Sequence, residues 1–372
     1  MDFEEVKKYI DDVKESHKFK ELDEFTKMTQ MKEEEDIYEN IKYYLGLYYS
    51  RHDCKEFFQP DYEYFIEFLE HYLKDEPIEM FLDDNGYIDL SKNLNLVRPS
   101  RFVGGSGCFI DNHKIFTDGS KYICKLPLNY KGKSGISNKY CIYAPLIASY
   151  IAKQLNIESS EISLARTHSG CRILSKNFLN SNEEIVTYTK DTEEALISEQ
   201  LKQMEEALRL RKFPTNEIEK VKFDFLKQEF MAKLIGLKDQ KVENSPLVVS
   251  VDEEENKHVK MAPMLDFDYS FHIGEKVPFM RVRKCDNGEV DIGSLIEQYN
   301  NYPGLKEFAI NSMKSFDITQ VFNNIFKETG NKLFKDYEND EQMMEFINFV
   351  NKNARIARET IAKTYENERE EK

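Results

Sequence analysis

Tryptophan is absent from this chain, and glycine (15) and proline (10) are scarce among its 372 residues. So few turn-formers argue against a turn-rich β-fold and for long helices. There is no run of about 18 apolar residues, so no membrane-spanning helix is expected. The opening MDFEEVKKYIDDVKES is charged and amphipathic. It lacks the apolar centre of a secretory signal. Six cysteines stand at 54, 108, 124, 141, 171 and 285, without a C-x-x-C pair. Neither a disulfide framework nor structural zinc is expected, and the thiols suit a reducing cytoplasm. The seven histidines form no H-E-x-x-H. Basic residues are outnumbered 52 to 68, for a formal net charge of −16. Such a chain repels phosphate backbones, which argues against direct nucleic acid binding. What the chain does have is aromatic and aliphatic material. It carries 26 Phe and 21 Tyr, and 40% of its residues are hydrophobic. That is enough for a sizeable core, divided by length into about two to three domains.

Along the chain the texture changes twice. Residues 1–95 carry apolar and aromatic side chains at spacings of three and four, which predicts an N-terminal helical region. Asp83-Asp84-Asn85-Gly86 is a turn signal. From about 96, RFVGGSGCFI, KIFTDGSKYICKL, ISLART and CRILS read as short strands. CIYAPLIASYIAKQL between them reads as one buried helix. From about 190 long amphipathic helices return, TEEALISEQLKQMEEALRLRK and TNEIEKVKFDFLKQEFMAKLIG. A strand pair follows, SPLVVSV and HVKMAPML, joined by the acidic turn DEEENK. The remainder from about 293 reads as helical, with a charged tail expected to fray. The fold class expected is α+β, with a strand-rich domain over 96–178 and a helical one over 179–372.

Four segments carry chemistry. Gly104-Gly105-Ser106-Gly107 lies between two strand-like runs, where glycine lets backbone N–H groups approach anionic oxygens. A tight β-turn explains the same residues equally well. Lys125, in Ile123-Cys124-Lys125-Leu126-Pro127, must direct a charge out of an apolar strand. An ATP phosphate is one counter-charge, and bulk water is the other destination. Asp239 and Asn244 stand five apart on a polar loop after a long helix. An Asp there can accept the proton of a hydroxyl, and an Asn carbonyl can hold a divalent metal. Lys241 between them can neutralise charge on a transferring phosphoryl group. Asp266, in Met264-Leu265-Asp266-Phe267-Asp268, can coordinate magnesium or simply cap a turn.

In this order the segments resemble the protein-kinase superfamily: Asp239–Asn244 looks like the D-x-K-x-x-N catalytic loop and Asp266-Phe267-Asp268 like D-F-G. The likeness is closer to the HipA-like serine/threonine kinases of bacteria. The residues behind it are Ile123–Pro127, Leu234-Ile235-Gly236, Ala262-Pro263-Met264-Leu265-Asp266 and Ile173–Phe178. It covers about residues 96–330. The resemblance implies a bilobal protein-kinase-like fold with a small β-rich lobe and a larger helical lobe. It implies ATP and Mg2+ as cofactors and a protein Ser/Thr hydroxyl as acceptor, with autophosphorylation at Ser106, Ser100 or Ser120. An antitoxin or regulatory protein would be the partner. By it, Asp239 is the catalytic base, assisted by Lys241. Asn244 and Asp266 hold the metal, and Lys125 with Gly104–Gly107 holds the phosphates. The chain departs from the family in four places: Lys241 stands where His is usual, Asp268 closes D-F-D, the 138–154 helix has no glutamate to pair with Lys125, and the glycine loop lacks the usual S-x-x-G-x-Q pattern. A nucleotide-binding protein without turnover and a small-molecule phosphotransferase are the competing readings.

Overall fold

The computed structural model describes residues 82–90, 108–115, 121–125, 142–167, 170–180, 182–188, 196–240, 242–252, 254–267, 270–271, 282–302 and 304–370. The expected helices of residues 1–74 lie outside these. Mixed α/β architecture is observed: two small sheets and, among the described residues, seven α-helices. Contacts divide the chain into two units.

The first unit holds a five-stranded sheet. Its strands are β1 (Ile88–Asp89), β2 (Cys108–Ile115), β3 (Lys121–Lys125), β4 (Ile162–Thr167) and β5 (Gly170–Lys176), in the order β1-β4-β5-β3-β2. β3 runs antiparallel to both neighbours, so Lys125 lies opposite Cys108 on one side and Ile173 on the other. The Asp83 turn forms as the sequence predicts. Asp83 accepts from the Tyr87 N–H through its carboxylate at 3.0 Å, and its own N–H donates to the Tyr87 carbonyl.

The second unit is helical around a three-stranded sheet. Its helices are α1 (Tyr143–Gln154), α2 (Ile197–Leu210), α3 (Thr215–Leu234), α4 (Ile292–Glu297), α5 (Leu305–Ser315), α6 (Ile318–Thr329) and α7 (Glu341–Glu370). α1, placed by sequence among the strands, groups with this helical unit. It is buried along nearly its whole length, and its exposed end is tied to α6 by Tyr150 and Lys153, both donating to Glu328. The strands are β6 (Glu183–Val186), β7 (Leu247–Val251) and β8 (Lys257–Met261), all antiparallel, with β7 central and buried at Leu247, Val248 and Val249. The acidic DEEENK turn closes the β7–β8 hairpin, with Asp252 accepting from the Glu254 and Asn256 N–H groups. α7 continues through most of the charged tail to Glu370.

Three helices end alike. After α1, α2 and α3 a residue with positive φ follows the C-cap: Asn156, Lys212 and Gly236. The next N–H reaches back to the carbonyl five residues earlier, as Leu237 does to Ala232 at 2.8 Å. This closure satisfies carbonyls that the helix itself leaves open.

Candidate active site

Within the second unit, α3 delivers the chain to the Asp239 loop. α3 is buried on nearly all sides of its second half, because Phe225, Leu226, Phe230, Met231 and Leu234 are joined inside by Gln228, Glu229 and Lys233. Gly236 then turns the chain at φ +63. A Cβ there would sit 2.6 Å from the Phe349 ring of α7, so only glycine permits both the backbone and the packing. Asn353, also on α7, donates to the carbonyl of Leu234 at 2.9 Å and covers an orphan at the helix end.

Beyond this turn lie Leu237, Lys238, the buried Asp239 and Gln240. Val242–Asn244 form one 3₁₀ turn. The Asn244 side-chain N–H donates to the Asp239 carbonyl at 3.0 Å, which leaves its amide oxygen as the metal-binding end. The loop then enters β7, returns by β8, and reaches Met264. Met264 pairs with the segment after α1: its N–H donates to the Glu158 carbonyl at 2.9 Å, and its carbonyl accepts from the Ser160 N–H at 3.0 Å. Asp266 follows, half-buried and at φ +56, a conformation Asp tolerates better than most residues. Phe267 is fully buried and fixes the segment. The Phe271 N–H donates to the Ile235 carbonyl at 2.8 Å, so the chain after Asp266 is fastened to the entrance of the Asp239 loop. Phe271 also packs edge-on against Phe346 and Phe349 of α7.

One small pocket brings these pieces together. Asp239, Asn244, Met264 and Leu265 line it, along with Gln228 and Arg283. Its room is that of about one water. Gln228 donates to the Ala262 carbonyl at 2.7 Å, while its own oxygen is buried without a partner. The oxygens gathered here are amide and carboxylate, the hard donors magnesium prefers. Among the described residues no group of three or more His, Cys, Asp or Glu could hold a metal alone. A magnesium ion shared with a nucleotide needs only one or two protein ligands, because phosphates and water complete its shell. Asn244 lines the pocket, and Asp266 is the residue that follows its lining residue Leu265.

Beneath the loop lies a cluster that sequence reasoning missed. Glu229 and Arg283 are 1% and 4% exposed and pair at 2.6 Å. Gln240 donates to Glu229 at 3.2 Å and accepts from the Arg283 backbone N–H at 2.9 Å. Arg283 also reaches the Ser245 hydroxyl at 3.3 Å, stacks over Phe225, and receives at its carbonyl the Lys233 ammonium at 2.8 Å. Burial alone would depress the guanidinium's pKa. The charge of Glu229 outweighs that, and Arg283 is held above its usual range. Nearby, burial pushes the Cys285 thiol up to about 11, which leaves it a protonated core residue. The signal available in sequence was three polar residues inside the apolar run of α3.

The other expected site residues divide. Lys125 has its backbone on β3 of the first unit. Gly104, Gly105, Ser106, Gly107, Lys241 and Asp268 lie outside the described residues. No helix among the described residues is long and apolar enough to cross a membrane.

No protein-family profile matches the chain, and no curated protein matches its sequence. Two solved structures are similar in shape. One is the Helicobacter pylori proinflammatory kinase CtkA, at 15% identity and TM-score 0.46, covering 72% of this chain and 97% of that one. The other is HipA of Shewanella oneidensis MR-1, from the toxin–antitoxin system solved with HipB and operator DNA. It is 11% identical with TM-score 0.40, covering 71% of this chain and 67% of that one. Both TM-scores lie below 0.5.

Proposed function

We propose that this chain is a phosphotransferase that moves the γ-phosphoryl group of ATP to a Ser or Thr hydroxyl of a protein, its own chain included. The observation that carries the reading is the pocket shared by Asp239, Asn244 and the Met264–Leu265 segment that leads into Asp266.

In this reading the Asp239 carboxylate orients the acceptor hydroxyl and takes its proton as the oxygen attacks the γ-phosphorus. The bond from that phosphorus to the bridging oxygen breaks, and ADP leaves. Asn244 and Asp266 would hold magnesium, which when bound neutralises charge on the phosphates. Lys241 sits on the same loop and offsets charge on the transferring group. Lys125 and Gly104, Gly105, Ser106 and Gly107 are assigned to the ATP phosphates on the strength of their sequence pattern. The work is positioning and electrostatic stabilisation, as phosphoryl transfer generally requires.

The proposal keeps the finer sequence expectations as well: a bilobal kinase-like arrangement, a helical N-terminal region ahead of the Asp83 turn, a cytoplasmic setting, and an antitoxin-like or other regulatory protein as partner. The test is transfer from γ-labelled ATP, with magnesium, to the chain itself, to protein acceptors and to sugar or aminoglycoside hydroxyls. Label on protein that disappears in Asp239→Asn supports a protein kinase. Label on small molecules alone moves the assignment to a small-molecule phosphotransferase. Magnesium-dependent ATP binding without any transfer makes the chain a nucleotide-binding protein, a reading favoured by the absence of glutamate from α1.

A further inference from the structure

Asp239 and Asn244 are each followed directly by a residue that Arg283 touches. Gln240 comes after Asp239, and its side-chain oxygen accepts from the Arg283 N–H at 2.9 Å. Ser245 comes after Asn244, and its hydroxyl lies 3.3 Å from the Arg283 guanidinium. Gln240 also donates to Glu229 at 3.2 Å, and Glu229 pairs with that same guanidinium. Both ends of the loop are thus gripped by one buried residue, which α3 anchors through Glu229 and Lys233. The side chains of Gln240, Glu229, Arg283 and Ser245 lie on one hydrogen-bonded path. A buried pair of this kind is a poor source of net stability, since two charges lose their water. A fixed register for the groups it holds is a better account of its presence.

We infer that Arg283, with Glu229 and Gln240, is a positioning device that sets the separation of Asp239 and Asn244 across their loop. This rests on the phosphotransferase reading for its catalytic consequence. The contacts themselves do not depend on that reading. A loop held at two points keeps a proton acceptor and a metal ligand in one geometry before substrate arrives. Displacements of about 1 Å in such groups can cost up to about 100-fold in rate.

The experiment uses Gln240→Met, which leaves the Glu229–Arg283 pair intact, and Ser245→Ala as a milder second variant. Two readouts are taken on the full chain. The first is hydrogen exchange at the Ser245 amide, which donates to the Val242 carbonyl at 3.0 Å. The second is steady-state transfer from Mg·ATP. The expected result for Gln240→Met is exchange faster by about tenfold or more. Its kcat should fall about 10- to 100-fold, with KM for ATP within about threefold of wild type. Ser245→Ala should shift both readouts the same way by less, and it serves alone if Gln240→Met does not fold. Unchanged exchange in both variants overturns the inference. Faster exchange with unchanged kcat reduces the cluster to a structural one and also overturns it. Wild-type protein that binds no nucleotide and transfers no phosphate overturns the functional reading instead, and the loop-holding contacts are then judged by exchange alone.

Discussion

Two glutamates of α3 hold distant segments in opposite surroundings. Glu217, in the first turn, accepts from His258 at 3.1 Å and from the Val259 N–H at 3.1 Å, and His258 reaches Asp252 with its other ring nitrogen. That imidazole is 50% exposed. Glu229, further along the same helix, is buried and meets Arg283 and Gln240. The first cluster steadies the β7–β8 hairpin in water, where each ion pair is worth little. The second is sealed from water and must be complete to be tolerated. The pairs look alike on paper, yet one tunes a surface turn and the other fixes a loop.

Breaking the buried cluster has the largest effect. Arg283→Met leaves Glu229 buried without its cation. Chemical denaturation is expected to show a loss of about 3–5 kcal/mol. The Glu229→Met/Arg283→Met double variant should recover most of it, since no charge is then stranded. A double variant as unstable as the single would contradict the account of the pair. Next comes the loop entrance. Gly236→Ala places a methyl 2.6 Å from Phe349 and forces positive φ on alanine. Denaturation should register at least about 1–2 kcal/mol of destabilisation. Smaller again is Asn353→Ala, which uncovers the Leu234 carbonyl at about 1 kcal/mol.

The exposed cluster gives the smallest effect and the one that depends on pH. Hydrogen bonds donated to the Asp252 and Glu217 carboxylates raise the His258 pKa above 6.5. Its contribution is therefore complete below pH 6.5 and lost as pH rises through the folded value. Hydrogen bonds led by His258 hold Asp252 down at about 2. That contribution is present above its ordinary 3.8 and fades as pH falls toward 2. The melting-temperature gap between wild type and His258→Ala should be widest below about pH 6.5 and narrow as pH rises above it. A gap that does not change with pH would mean that packing, not charge, accounts for it. Arg283 stays charged across this whole range.

Local features of the fold were legible in sequence. α3 fits its amphipathic run at both ends, because Pro214 precedes it and Gly236 closes it. The β7–β8 hairpin was visible because the acidic turn DEEENK joins two short strand-like runs. The helical reading from about 293 agrees with the helices seen there, and Asp317 and Asp340 accept N–H groups at helix starts that divide the stretch. Of the pocket lining, Asp239 and Asn244 stand out in the sequence as two polar residues five apart. Glu229, Gln240, Ser245 and Arg283 do not, since each is an ordinary polar residue until burial selects its partner. The grouping of α1 with the helical unit was hidden for the same reason: apolar periodicity says that a helix is buried, but not against what.

The most direct measurement is a crystal structure with a non-hydrolysable ATP analogue and Mn2+, located by its anomalous signal. The account predicts a metal peak at about 2.1 Å from the Asn244 amide oxygen and an Asp266 carboxylate oxygen, touching the nucleotide phosphates. A nucleotide and metal bound away from both residues would contradict it.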